Sequence, residues 1–133
     1  MEDKNLKTSM TMAFIMGIFL PLAETVRRIN QIIAFQEFFR WFDDFVLGGA
    51  LLLAAYYVSK KKENAKEYLI SAWGMAFGGL ILSLFGQISD YSANIADAGI
   101  FNSGFVLIAK IIIFTFMFVG LYKSIYTFNE QKK

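Results

Sequence analysis

Apolar residues along this chain come in blocks, without the alternation of a half-buried strand or the narrow stripe of a surface helix. Four blocks each approach the roughly 20 residues that a helix needs to cross a hydrocarbon core about 30 Å thick. The first opens at Met10 and carries Phe14, Ile15, Ile18 and Leu20; the others cover about 38–58, 68–88 and 100–122. Between them lie 30–37, the basic run 59–67 and the turn-like stretch SDYSANIADAG at 89–99. The pattern predicts an all-α integral membrane protein: one domain over 1–133, a compact bundle of four transmembrane helices spanning about 10–33, 38–58, 68–88 and 100–122. Pro21, Leu22 and Ala23 make a weak cleavage-site match, and apolar periodicity runs past them, so the first block reads as a retained helix.

Composition narrows the chemistry. The mean hydropathy is +0.48, and 18% of residues are charged, against about 25% in an ordinary soluble domain. With no Cys and no His, disulfides, thiolate metal sites, thiol nucleophiles and His-based catalysis are excluded. No metal site, cofactor or catalytic residue is expected. A net charge of +2, with no interleaved basic and aromatic surface, argues against nucleic acid as a partner.

Basic residues set the expected orientation. With four spans, the N-terminus, the middle loop and the C-terminus share a side. Those segments hold Lys4, Lys7, Lys60, Lys61, Lys62, Lys66, Lys123, Lys132 and Lys133, against Arg27, Arg28 and Arg40 near the first loop. Both termini are therefore expected to be cytoplasmic, in a cytoplasmic (inner) membrane.

Charges also fall inside the blocks. On a helical wheel of about 100° per residue, Ala13, Gly17, Pro21, Glu24, Arg28 and Gln31 share one face of the first helix, opposite Ile15, Leu22, Val26, Ile29 and Ile33. The second helix aligns Glu37, Arg40, Asp44, Gly48, Leu51, Ala55 and Ser59, which allows Glu37–Arg40 and Arg40–Asp44 pairs. Asp43, about 100° from Asp44, cannot share Arg40 equally well. Lys110 sits in the apolar run IAKIIIFTFMF of the fourth helix. Glu24, Arg28, Arg40, Asp43, Asp44 and Lys110 are thus the candidate ion- or ligand-binding residues, in the outer half of the membrane.

Gly17, Gly48, Gly74 and Gly78 are candidate packing positions, the Gly74-x-x-x-Gly78 pair favouring intramolecular contact over a dimer. Tyr and Trp near the span ends, Trp41 and Trp73 among them, suit an interfacial belt in contact with membrane lipid. Asp90 and Asp97 are expected to be solvated in the outer loop.

Two readings of the charges compete. In the first, the protein is a small channel or transporter component moving protons or small ions through a polar vestibule, as a homo-oligomer because four helices enclose little volume. In the second, it is an accessory or scaffold subunit docking a membrane-protein partner, and the charges are a structural salt-bridge network. A lipid-headgroup enzyme is disfavoured, since the sequence has neither a Gly-rich phosphate loop nor an HExxH motif.

Overall fold

The computed structural model describes residues 4–97 and 99–131, with side chains to residue 126. Glu2, Asp3, Lys132 and Lys133 lie outside the described residues. The elements are α1 (Lys4–Arg27), α2 (Ile29–Ile33), α3 (Phe38–Ser59), α4 (Ala65–Ser92) and α5 (Ser103–Gln131). Among the described residues there is no strand, and four helices are long and apolar enough to cross a membrane: Lys4–Arg27, Phe38–Ser59, Ala65–Ser92 and Ser103–Tyr126.

The four long helices form a ring in the order α1, α3, α4, α5, with α5 returning to α1. Helices α3 and α5 therefore face each other across the diagonal. The starts of α1 and α4 and the ends of α3 and α5 mark a lysine end, which gathers Lys4, Lys7, Lys60, Lys61, Lys62, Lys66 and Lys123. The opposite, charged end holds Arg27, Arg28, Glu37, Arg40 and the α4–α5 loop.

The faces follow the wheel. Ala13, Met16, Gly17, Leu20 and Glu24 are buried on α1, while Ile15, Leu22 and Val26 are exposed. On α3, Gly48, Leu51 and Ala55 are buried, and Phe39, Val46 and Leu53 are exposed. Close approach of α1 to α3 depends on two glycines. A Cβ on Gly48 would stand 2.7 Å from the Gly17 carbonyl oxygen and 2.8 Å from Pro21 Cγ, and one on Gly17 would stand 2.9 Å from the Gly48 carbonyl oxygen. Pro21 has no N–H to offer that Gly17 carbonyl, which instead lies against Gly48, as weak Cα–H···O contacts between helices require.

Several boundaries differ from expectation. Helix α1 begins at Lys4 rather than Met10, because its polar first turns are packed. Ser9 is fully buried; its hydroxyl accepts the Trp73 Nε1–H at 2.8 Å and donates to the Gly120 carbonyl at 2.9 Å. Trp73 is therefore a core residue and no part of an interfacial belt. Its ring occupies the space where a Gly120 Cβ would project. The first helix also does not continue unbroken to Ile33. Arg28 leaves helical geometry (φ −112°, ψ 29°), and the Arg27 carbonyl accepts the Ile100 N–H at 3.0 Å. The incoming α4–α5 loop takes up an acceptor at the point where the helix bends, a recognised cause of helix breaks.

Gly74 and Gly78 do not pack inside the bundle. Both lie on the exposed face of α4 with nothing within 4 Å of an added Cβ, and Ser71 is exposed there too. Gly74 and Gly78 are not part of the cavity wall at the charged end, and Ser71 borders a separate cavity of about 280 Å³ with Tyr57, Tyr68 and Met75.

Candidate functional site

One cavity of about 250 Å³ opens at the charged end, and all four long helices line it. Glu24, Arg28, Arg40, Asp43, Asp44 and Lys110 all contribute to its wall, together with Arg27 and Ser83. Its deeper part is apolar, made by Leu47, Leu80, Ile113 and Met117, with Leu20 at about the depth of Asp44 and Lys110. At a rise of 1.5 Å per residue, Leu20 and Met117 lie about 10 and 21 Å below the ends of their helices. Closer to the lysine end, Met16 and Leu51, one turn beyond Leu20 and Leu47, and Trp73, two turns beyond Leu80, are buried in the core. Apolar packing thus closes the cavity toward the lysine end.

Its charges divide into two groups. The first is a closed network. Glu24, 6% exposed, receives Arg27 Nη1 at 3.1 Å and has Arg28 Nε 2.7 Å from its other oxygen. The Arg28 Nε–H is aimed at no acceptor, so that approach is a charge contact without a directed hydrogen bond. Arg28 Nη1 instead donates to Gln31 Oε1 at 3.0 Å. Arg27 in turn donates Nε–H to Asp97 Oδ2 at 3.1 Å and pairs through Nη2 with Oδ1, a two-pronged grip on one carboxylate. Two acids and two bases balance.

Asp97 is thus no solvated loop residue; its carboxylate is 2% exposed. Burial alone would raise its pKa, but the Arg27 hydrogen bonds and charge, with the Gly99 N–H at 3.0 Å, hold it below the usual aspartate value. A Cβ at Gly99 would collide with the Arg27 carbonyl, so this loop can seat only with glycine there.

The second group has no such closure. Among the described residues, no cationic nitrogen lies within 4.0 Å of the Asp44 carboxylate, and no side chain donates a hydrogen bond to it. Arg40 does not make the expected pair with it. That guanidinium binds Glu37 at 2.8 Å, with both side chains largely exposed. Asp43 is exposed, and its Oδ1 accepts the Asp44 backbone N–H at 2.8 Å. Lys110 Nζ donates to Gln87 Oε1 at 3.2 Å and lies 3.5 Å from the Ser83 carbonyl oxygen. Gln87, 4% exposed, is itself fixed by donating to Ser103 Oγ at 3.0 Å.

Three participants were not candidates from sequence. Arg27 carries an i,i+3 spacing to Glu24 that a pairing rule would have flagged. Gln87 is the one side-chain amide in its apolar block, also a visible signal. Asp97 gives no local signal, because its partner is 70 residues away. No cluster of three or more Asp or Glu side chains suited to a metal ion occurs among the described residues.

Comparison of the chain with protein-family models, with curated proteins and with solved structures finds no match. The functional reading therefore rests on the geometry.

Proposed function

We propose that the chain is an integral protein of a cytoplasmic membrane, crossing it four times with both termini cytoplasmic. In this reading it is a small transport component that takes up protons or small ions from the outer face through the charged cavity. Helix length and hydropathy support insertion, and the lysine end supports the orientation.

One observation carries the functional reading. Asp44 presents a carboxylate without an ion-pair partner to a cavity at membrane depth. An ionisable group at that depth is costly, by about 2.5 kcal/mol or more, and is retained where it meets water or a substrate. Asp44 is the exchangeable carboxylate in this account, and Lys110 faces the same cavity. Because apolar packing closes the cavity toward the lysine end, release toward the cytoplasm involves a change in helix packing. The exposed Gly74 and Gly78 face of α4 suits close approach of a second copy or of a membrane-protein partner. Proton and monovalent-ion flux into proteoliposomes tests the reading: the native chain carries flux and Asp44→Asn does not.

The accessory-subunit reading also has an observation in its favour. The Glu24–Arg27–Arg28–Asp97 network is neutral and internally satisfied, as a structural element would be. A partner retained through gentle solubilisation, with no flux by the chain alone, would favour that reading.

A further inference from the structure

Asp44 and Lys110 stand at matching depth on diagonal helices. Asp44 is six residues into α3 and Lys110 seven into α5, or about 9 and 10 Å from the same end. Both line the cavity, yet they do not meet as an ion pair. The cavity lies between them. Opposite charges at a low-dielectric site attract strongly, so a gap between them is space that a ligand can bridge.

The ligand must satisfy both ends. Asp44 is an acceptor-only carboxylate, suited to an ammonium group, and Lys110 is a donor-only cation, suited to an oxyanion. Below both, Leu47, Leu80, Ile113 and Met117 offer apolar contact and no charge. About 250 Å³ equals the volume of roughly eight waters, or of a compact molecule of eight to ten non-hydrogen atoms. We infer that the cavity binds a small zwitterion of the α-amino-acid type, its ammonium on Asp44, its carboxylate on Lys110 and an aliphatic side chain in the apolar floor. Gln87 is a positioning residue that aims Lys110 and does not touch the ligand. This assignment rests on the reading of the cavity as a vestibule open to water at the charged end, and it adds an organic solute to the protons or small ions proposed for that same site.

The test is equilibrium dialysis of labelled L-leucine against the purified full chain in detergent near neutral pH. Competitors are glycine, 3-methylbutylamine, 4-methylpentanoate and O-phosphoethanolamine. Leucine should displace the label at concentrations about ten- to a hundredfold lower than the amine or the acid alone, each of which lacks one charge-assisted contact. Glycine, with nothing for the floor, should be weaker by a comparable factor. Asp44→Asn should lower leucine to the level of 4-methylpentanoate, and Lys110→Gln to that of the amine.

No retained leucine, or an amine that competes as well as leucine, overturns the assignment. Tighter binding of O-phosphoethanolamine than of leucine also overturns it, in favour of a lipid headgroup. The competitor series on the native chain decides the matter even if both variants misfold. Ion flux in liposomes without leucine binding would leave the transport reading standing and this inference refuted. Leucine binding without any flux would do the reverse.

Discussion

Replacing Asp97 with Asn keeps the side chain's shape and removes its charge. The native carboxylate is gripped by Arg27 and accepts the Gly99 N–H, and the amide oxygen of the variant can still accept one of these bonds. What is lost is one ion pair. An exposed pair contributes about 0–1 kcal/mol, and breaking a fully buried one costs about 3–5 kcal/mol. Arg27 is 14% exposed and keeps Glu24 as a partner, which places the loss near 2 kcal/mol. The loop also donates the Ile100 N–H to the Arg27 carbonyl, so opening of the loop exposes that amide. A loss of ~2 kcal/mol should speed Ile100 hydrogen exchange about thirtyfold, with Ala76 in the core of α4 unchanged.

The pH dependence follows from the direction of the Asp97 shift. Its folded pKa is depressed below an unfolded value of about 3.9. The stabilisation is therefore complete above the unfolded value and is lost as pH falls through the folded one. After correction for intrinsic rates, native exchange at Ile100 should rise toward the variant's at acid pH. Equal Ile100 protection in both proteins at pH 7 would refute the reasoning.

Ser9→Ala leaves the Trp73 indole N–H without its acceptor and the Gly120 carbonyl without its donor. Hydrogen bonds between membrane helices average about 0.6 kcal/mol each, and the stranded indole adds about 1 kcal/mol or more. The expected loss is ~2 kcal/mol in an SDS unfolding titration, and an unchanged midpoint would contradict the packing described. Gly48→Ala should destabilise by about 1–3 kcal/mol, since its Cβ meets the Gly17 carbonyl and Pro21. Gly74→Ala, open to its surroundings, should be neutral or stabilising by up to ~1 kcal/mol; equal losses in the two variants would argue against the α1–α3 contact. If the α4 face joins copies, Gly78→Ile should reduce cross-linked dimer in liposomes with no change in the SDS midpoint.

The four helices and their buried faces were legible because a stretch of about 20 apolar residues admits few alternatives, and a 3.6-residue period marks the inward face. Where two neighbours were equally reachable, local spacing did not decide. Arg40 is within reach of Glu37 and Asp44, and it takes the exposed partner, which leaves Asp44 to the cavity. Gly17, Gly48, Gly74 and Gly78 share one residue type, but only the fold determines that the first two meet and the last two face outward. Helix ends were hardest to read. Polar Ser9 begins inside the core because its partners are Trp73 and Gly120, and α1 bends at Arg28 because a loop from the far end of α4 binds there. Such contacts join residues tens to more than a hundred positions apart, beyond any local period.

The central claim is that Asp44 is the working group of a transport vestibule and that the Glu24–Arg27–Asp97 network only holds its walls. Proteoliposome flux of protons and monovalent ions, measured under both signs of membrane potential, tests it with Asp44→Asn and Asp97→Asn in parallel. The account predicts flux in the native chain, its loss in Asp44→Asn at unchanged folding, and its survival in Asp97→Asn. Flux that persists in Asp44→Asn, or none in the native chain under either potential, would contradict it.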